Sequence, residues 1–319
     1  MIREFRRAES ARLYALLREN FPAEEALYGT RPESWDRIVR RIYRADTRIV
    51  LGLLRLVGRP VYRFFVVEAD GTMVATSLVS FAARAGYISM VMVDAPYRGR
   101  GYARRLLARC AAATRAVGRP YIALDVLRDN APAIALYRSE GFLPLREMGF
   151  YSLPLDPPTA PARATPAVAS VIRPFRSTDH TPLWNGAAAA IPPRVAEVLP
   201  LPRRALSGAF NLGRILSSRS ETWVLEERGA PVGWLSATVS DVMEASGLAA
   251  PIVLEGASPE GVRALVGTAI EWARAQGAPR MVSEVSADNL RAVAALEGAG
   301  FAVVHRVQTL YRPVAPVSS

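Results

Sequence analysis

The chain has 319 residues, 40 Lys+Arg against 29 Asp+Glu and a net charge of +11, and all 40 cations are arginine because lysine does not occur. Half of the residues are hydrophobic, which fits folded domains rather than disorder, and the length suggests two cores rather than one. A single cysteine (Cys110) and two histidines (His180 and His305) exclude an internal disulfide and argue against a metal centre built on His or Cys.

The first ten residues lack the apolar stretch of a signal peptide, and the longest apolar runs, such as 49–54, fall far short of the roughly 18 residues of a membrane span. A cytoplasmic protein with no membrane partner is expected. The basic charge suits nucleic acid, an anionic surface or a polyphosphorylated small molecule. No helix-turn-helix, zinc finger or RNP aromatic pattern supports nucleic acid.

In chain order, helical spacing covers 8–20 and 32–44, and 49–57 reads as buried structure. Strands are expected at 62–69 and 72–82 around the turn Asp70-Gly71, and at 87–93. A helix over 101–117 ends at Gly118 and Pro120. A strand at 121–126, a helix at 131–140 and one or two strands at 142–153 follow. Residues 154–170 contain five prolines and read as a semi-extended linker.

Beyond it the pattern repeats. Ile2-Arg3-Glu4-Phe5-Arg6 returns as Ile172-Arg173-Pro174-Phe175-Arg176. Asn130 with Gly141-Phe142 returns 159 residues later as Asn289 with Gly300-Phe301, and Gly118-Arg119-Pro120 as Gly277-Ala278-Pro279. Two copies at this period mean duplicated domains: 1–153, the linker 154–170, and 171–319.

The most informative segment runs from the strand Val91-Met92-Val93 through Arg98-Gly99-Arg100-Gly101-Tyr102-Ala103 into a helix. Two glycines permit conformations closed to other residues, and a helix start offers unpaired N–H groups and positive dipole, which together suit an anion such as a diphosphate. There is no Gly-Lys-Ser/Thr, and no full G-x-G-x-x-G with an acidic ribose ligand. A second segment, Asp125 to Phe142, is a strand, a loop, a helix capped by Asn130 with Pro132 in its first turn, and a strand start. Asn130 and Tyr137 are seven residues apart, so they share a helix face about 10 Å apart along the axis.

Together these segments resemble the GNAT superfamily of acetyl-CoA-dependent N-acetyltransferases. Its Arg/Gln-x-x-Gly-x-Gly/Ala signature is met by Arg98, Gly101 and Ala103, and its Asn…Tyr…Gly-Phe helix by Asn130, Tyr137, Gly141 and Phe142. The resemblance covers essentially all of 1–153. It implies an α/β (α+β) chain of two tandem GNAT-type domains, each a mixed, mostly antiparallel sheet flanked by helices. It implies acetyl-CoA as co-substrate, without a metal. It places the CoA diphosphate at Arg98, Gly99, Arg100, Gly101, Tyr102 and Ala103, the pantetheine arm along Val91, Met92 and Val93, and a further cofactor contact at Asn130. Tyr137 becomes the acid that protonates the leaving thiolate. Asp125 is the candidate base, matching a glutamate in some family members, with direct contact and a water relay both open.

At the 159-residue offset, the cradle maps to Ala257-Ser258-Pro259-Glu260-Gly261-Val262, Tyr137 to Leu296 and Asp125 to Glu284. Pro259 removes a donor and Glu260 repels phosphate, so the second half is read as a degenerate lobe that packs against the first and helps shape the acceptor cleft. Cys110 reads as a small buried apolar group, and His305 as a satisfied or exposed strand residue. The expected acceptor is a small-molecule or peptide amine, met in part by residues 21–35, where Glu24 and Glu25 lie. Transfer of another acyl group, transfer to a hydroxyl, a CoA-binding regulatory protein and a homo-oligomer all stay open. The charge has an address: through residue 157 there are 25 arginines against 16 acids, and from 158 onward 15 against 13.

Overall fold

The computed structural model describes residues 1–20, 61–81, 84–155, 170–206, 217–240 and 245–314. The expected helix at 32–44, the block at 49–57 and the acceptor segment 21–35 lie outside the described residues.

The first half runs β1 (Ile2–Glu4), α1 (Ser10–Asn20), β2 (Tyr62–Ala69), β3 (Thr72–Phe81), β4 (Ala85–Val93), α2 (Tyr102–Ala116), β5 (Tyr121–Leu127), α3 (Ala131–Ser139) and β6 (Leu143–Pro154). The second runs β7 (Ser170–Pro174), α4 (His180–Ala189), α5 (Pro193–Val198), β8 (Ser217–Glu227), β9 (Ala230–Ser240), β10 (Ser246–Leu248), β11 (Ile252–Val253), α6 (Pro259–Ala275), β12 (Arg280–Ser286), α7 (Leu290–Gly298) and β13 (Ala302–Pro313). The β2–β3 turn puts Asp70 and Gly71 at φ 52° and 71°, and β8–β9 repeats this with Arg228 and Gly229 at 51° and 77°. Positive φ at both central residues matches the twist of a two-residue hairpin.

The halves correspond beyond their motifs. Arg3 on β1 bridges Glu9 (2.5 Å) and Glu68 (2.6 Å), and Arg173 on β7 bridges Asp179 (2.7 Å) and Glu226 (2.6 Å). Each arginine ties the opening strand to the hairpin that follows.

The two sheets are not separate. The described strands form one continuous sheet in the order β1-β2-β3-β4-β5-β13-β6-β12-β10-β9-β8-β7, with β11 paired to β9. The last of the described strands, β13, lies between β5 and β6 of the first half and is antiparallel to both. In return, β6 pairs with β12 of the second half. The sequence predicts lobes that pack against each other; the structure exchanges their final strands. That exchange gives both β5 and β12 a full hydrogen-bonding partner and leaves no open edge at the junction.

The cores follow the exchange. Leu106, Leu107 and Cys110 of α2 pack on Ile122, Leu124 and Val126 of β5 and on Leu310 of β13. Leu265, Ala269 and Ile270 of α6 pack on Met281 and Val285 of β12 and on Tyr151 of β6. Each core thus contains a residue from the other half. The expected linker begins later than its prolines suggest: Pro154 closes β6 opposite Arg280, and the buried Leu155 donates its N–H to Pro279. A proline is tolerated at a strand end, where no ladder donor is required.

Cys110 is fully buried, as expected, with Sγ 3.3 Å from Ser77 Oγ, and burial pushes its thiol up to about 11. His305 is neither satisfied nor exposed. Its ring lies 4.6 Å from that of Phe150, and Nε2 is buried without a hydrogen-bond partner among the described residues.

Candidate active site

β4 begins as an ordinary parallel neighbour of β5, with Ala85–Ile88 paired against Tyr121–Leu124. The pairing then stops. Met90 sits at φ 58°, and the register against β3 jumps between Thr76↔Met92 and Leu78↔Ser89. This bulge turns residues 89–93 away from β5 while β3 still holds them. Positive φ in a residue with a flexible side chain is strain that the surrounding sheet must maintain, and it opens a wedge between β4 and β5. Beyond Ile88 the residues of β4 have no β5 partner. The Asp94 N–H bonds the Val74 carbonyl of β3, so by strand alternation the main chain of Met92 also faces β3 and that of Val91 and Val93 faces the wedge. The Met92 side chain is buried with Leu13 and Leu16 of α1, so of the three expected pantetheine contacts Val91 and Val93 are the ones that turn backbone toward the wedge.

The wedge leads to the start of α2. Gly101 is the N-cap at φ 76°, makes no side-chain cap, and follows Gly99 at φ 75°. A Cβ on either glycine would meet nothing within 4 Å, so these positions demand glycine for conformation and leave open space beside the backbone. The first-turn amides of Tyr102, Ala103 and Arg104 have no intrahelical acceptor and no capping side chain. Arg98 fastens the loop through Nε to the Val93 carbonyl (3.1 Å) and through its guanidinium to Asn20 Oδ1 (3.2 Å). Arg100 lies over the Tyr97 ring at 5.0 Å. The loop is exposed, cationic and rich in unpaired donors, which fits a diphosphate.

Asn130 caps α3 as expected, accepting from the Ala133 N–H at 3.2 Å. Two turns further, Tyr137 is only 6% exposed, with its ring 6.0 Å from Phe142. Burial alone pushes its hydroxyl up to about 12, so it stays protonated at neutral pH.

Asp125 is on the opposite face from this core. Its neighbours Leu124 and Val126 point down under α2, so strand alternation sends its carboxylate to the other, open side. There Asp125 Oδ1 accepts a 2.6 Å hydrogen bond from Thr309 of β13, its direct cross-strand partner. Tyr87 of β4 has its hydroxyl within reach of the same carboxylate; burial and the Asp125 charge push that phenol well above the usual tyrosine range. Arg146 of β6 faces Thr309 from the other side. α5 of the second half closes one end, with Val198 packed on Ala123 and Tyr311, and Arg194 donating to the Tyr311 hydroxyl at 2.6 and 2.9 Å. Tyr87, Arg146 and Thr309 carry no motif. Thr309 in particular occupies the position 159 residues after Phe150, so the repeat gives no hint of it.

The model of the acetyltransferase (GNAT) family matches residues 11–142 and again 196–301. The chain belongs to the GNAT family. It is an acetyltransferase, in a family that draws the transferred group from an acyl-CoA. A relative, an IAA acetyltransferase from Azospirillum brasilense, is 32% identical over 121 residues, covering 37% of this chain and 78% of the relative. Among solved structures, a GCN5-related N-acetyltransferase from Sphaerobacter thermophilus superposes with a TM-score of 0.65 at 18% identity, over 99% of this chain and 96% of that one. A tandem GNAT protein from the clavulanic acid biosynthesis pathway gives 0.59 at 16% identity, over 81% and 84%. At these identities the two structures attest the fold.

The second GNAT copy keeps the wedge and loses the cradle. β10 pairs with β12 only through Leu248↔Ser283, after which β11 stays with β9 alone. At the start of α6, however, Ser258 caps the Gly261 N–H at 3.0 Å. Glu227 then takes both the N–H (3.0 Å) and the hydroxyl (2.5 Å) of Ser258, and the hydroxyl of Ser170 (2.8 Å). A Cβ on Gly261 would lie 2.3 Å from the Glu227 carboxylate. Burial raises the pKa of Glu227, but these hydrogen bonds outweigh it and hold the group below the usual carboxylate range. Glu260, the expected source of repulsion, is instead exposed and paired with Arg263 at 2.9 Å. The carboxylate at the helix end comes from the hairpin, where Glu226-Glu227 stands in place of Glu68-Ala69. Leu296, which stands in for Tyr137, is fully buried. Among the described residues no group of three or more His, Cys, Asp or Glu is placed to hold a metal, and no described helix is long and apolar enough to cross a membrane.

Proposed function

We propose that this GNAT chain moves an acetyl group from acetyl-CoA to a primary amine by direct attack, using the first half alone for cofactor binding and chemistry. The carrying observation is the wedge between β4 and β5, which connects an uncapped, glycine-rich helix start to the open carboxylate of Asp125. In this reading Arg98 through Ala103 hold the diphosphate, the backbone groups of Val91 and Val93 hydrogen-bond the pantetheine arm as it passes Met92, and Asn130 adds a contact. Acetyl-CoA supplies the acetyl group as a thioester.

The chain's own groups do the rest. Asp125, steadied by Thr309, receives the proton that the amine nitrogen loses as the N–C bond forms, directly or through one water. Free main-chain donors of β4 polarise the carbonyl. Tyr137 donates a hydrogen bond to sulfur as the C–S bond breaks. A phenol near 12 holds its proton more tightly than a thiol near 8.5, so Tyr137 stabilises the developing thiolate and relays a proton, rather than acting as a strong acid. Positioning of amine against thioester supplies much of the remaining acceleration.

The test is thiol release from acetyl-CoA across a panel of aminoglycosides, polyamines, amino acids and peptide N-termini. Thiol release that requires an amine and yields the N-acetyl product supports the reading. Tight CoA binding with no transfer to any amine overturns it in favour of a CoA-binding regulator.

A further inference from the structure

We propose that Arg146 is the acceptor-binding residue for an anionic group, and that the acceptor is a small amine bearing a carboxylate. This rests on the site assignment above and deepens it by naming the substrate class.

Arg146 lies on β6 beside Thr309, which lies beside Asp125, so the three share one row on the open face of the sheet. Adjacent strands are about 4.8 Å apart, which places the Asp125 and Arg146 backbones about 10 Å from each other with the Thr309 side chain on the floor between them. The long arginine side chain shortens that span to the size of a small amino acid. The guanidinium acts on this site: its charge opposes the effect of Asp125 and of Glu284 on the Tyr87 hydroxyl.

Arg146 also lacks a mate. Its Nε is buried with no hydrogen-bond partner, and among the described residues it forms no ion pair. Its neighbours do not share this state, since Arg128 and Arg306 both pair with Glu147, the next residue along, at 3.4 and 3.3 Å. β12 ends short of it, because the β6–β12 ladder stops at Met148↔Ser286. A partly buried guanidinium with an unused donor is costly unless something anionic completes it. A carboxylate matches its planar fork, and the amine of the same molecule is then directed toward Asp125.

The experiment compares matched acceptors: glycine, γ-aminobutyrate and lysine, each beside its carboxamide and its decarboxylated amine, with thiol release as the readout. The wild type is expected to favour the carboxylate member by roughly tenfold or more in kcat/KM, the scale of one charge-assisted hydrogen-bond pair. In Arg146→Met that ratio is expected to fall toward one, chiefly through KM of the acceptor, and Arg146→Lys is expected to restore part of it. KM for acetyl-CoA within twofold of wild type, with an unchanged melting profile, shows that the variants are folded. A wild type indifferent to the carboxylate, or one preferring the decarboxylated amines, overturns the inference and leaves amine acetylation standing. A variant that loses equally on all three members of a set also overturns it. Thiol release with no amine of any kind overturns both readings together.

Discussion

Thr309 donates a 2.6 Å hydrogen bond to Asp125 from 184 residues further along the chain. The donor belongs to the half that has no cradle, and the acceptor to the half that has one. Asp125→Asn is expected to lower kcat by about 10²-fold, the common worth of a positioned base. Thr309→Val is expected to lower it by roughly three- to tenfold, because it releases the carboxylate without removing it. The double variant should be no worse than Asp125→Asn alone, since the two act as one unit. Steady-state rates for the three variants check this; additive losses in the double variant would separate Thr309 from Asp125.

Tyr137→Phe is expected to reduce kcat by about ten- to a hundredfold while KM for acetyl-CoA changes little. Because burial raises the phenol to about 12, ionisation of Tyr137 should not limit the rate anywhere below about pH 11. The stability consequence has a definite sign. The unfolded phenol loses its proton near 10 and the folded one near 12, so the unfolded state binds fewer protons in that window. Stability contributed by Tyr137 is whole below pH 10 and declines as pH rises to 12. In thermal melts across that range the wild type should lose stability relative to Tyr137→Phe, which has no phenol to ionise.

Glu227 fills the helix start of the second half, so calorimetry should count one CoA per chain. Glu227→Ala is expected to destabilise by roughly 1–3 kcal/mol, the cost of leaving the Ser258 and Ser170 donors unmet, without creating a second equivalent site. The pKa of Glu227 is lowered by folding, so its contribution is present above about pH 4.3 and is lost as pH falls through the folded value. Acid unfolding of the variant should therefore be less steep than that of the wild type. Two equivalent CoA sites in the wild type would overturn the assignment of the second half.

The exchanged strands predict a single cooperative unit. Leu310 of β13 is fully buried in the core of the other half. Leu310→Ala should cost about 2–5 kcal/mol and lower the melting of both halves together. Fragments ending at residue 155 or starting at 170 should fail to fold as monomers, because each leaves β5 or β12 facing solvent without its partner strand. Circular dichroism and size-exclusion chromatography of the fragments check this; two stable monomers would contradict it.

The local parts of this protein are specified by short stretches of chain. Gly99, Gly101, Pro132 and the cap Asn130 act through backbone conformation and hydrogen bonds within a few residues, so their meaning is readable from spacing. The same holds for the hairpin at Asp70-Gly71, the apolar alternation of β5 and the 159-residue repeat that announced two copies. Which strands pair with which is settled by long-range packing, and the centre of the candidate site depends on that. Strand alternation predicts that Asp125 faces away from Leu124, but nothing in the chain order says that Thr309 and Arg146 lie beside it. An exchange of final strands leaves the periodicity of β6 and β13 unchanged, because either partner offers the same ladder and the same apolar face. Glu227 was hidden for the same reason: a carboxylate in a hairpin becomes a helix cap only when folding carries it to the first turn of α6. Short-range chemistry is written in order along the chain, whereas the union of two halves into one acceptor face is set by which edges meet when the sheet closes.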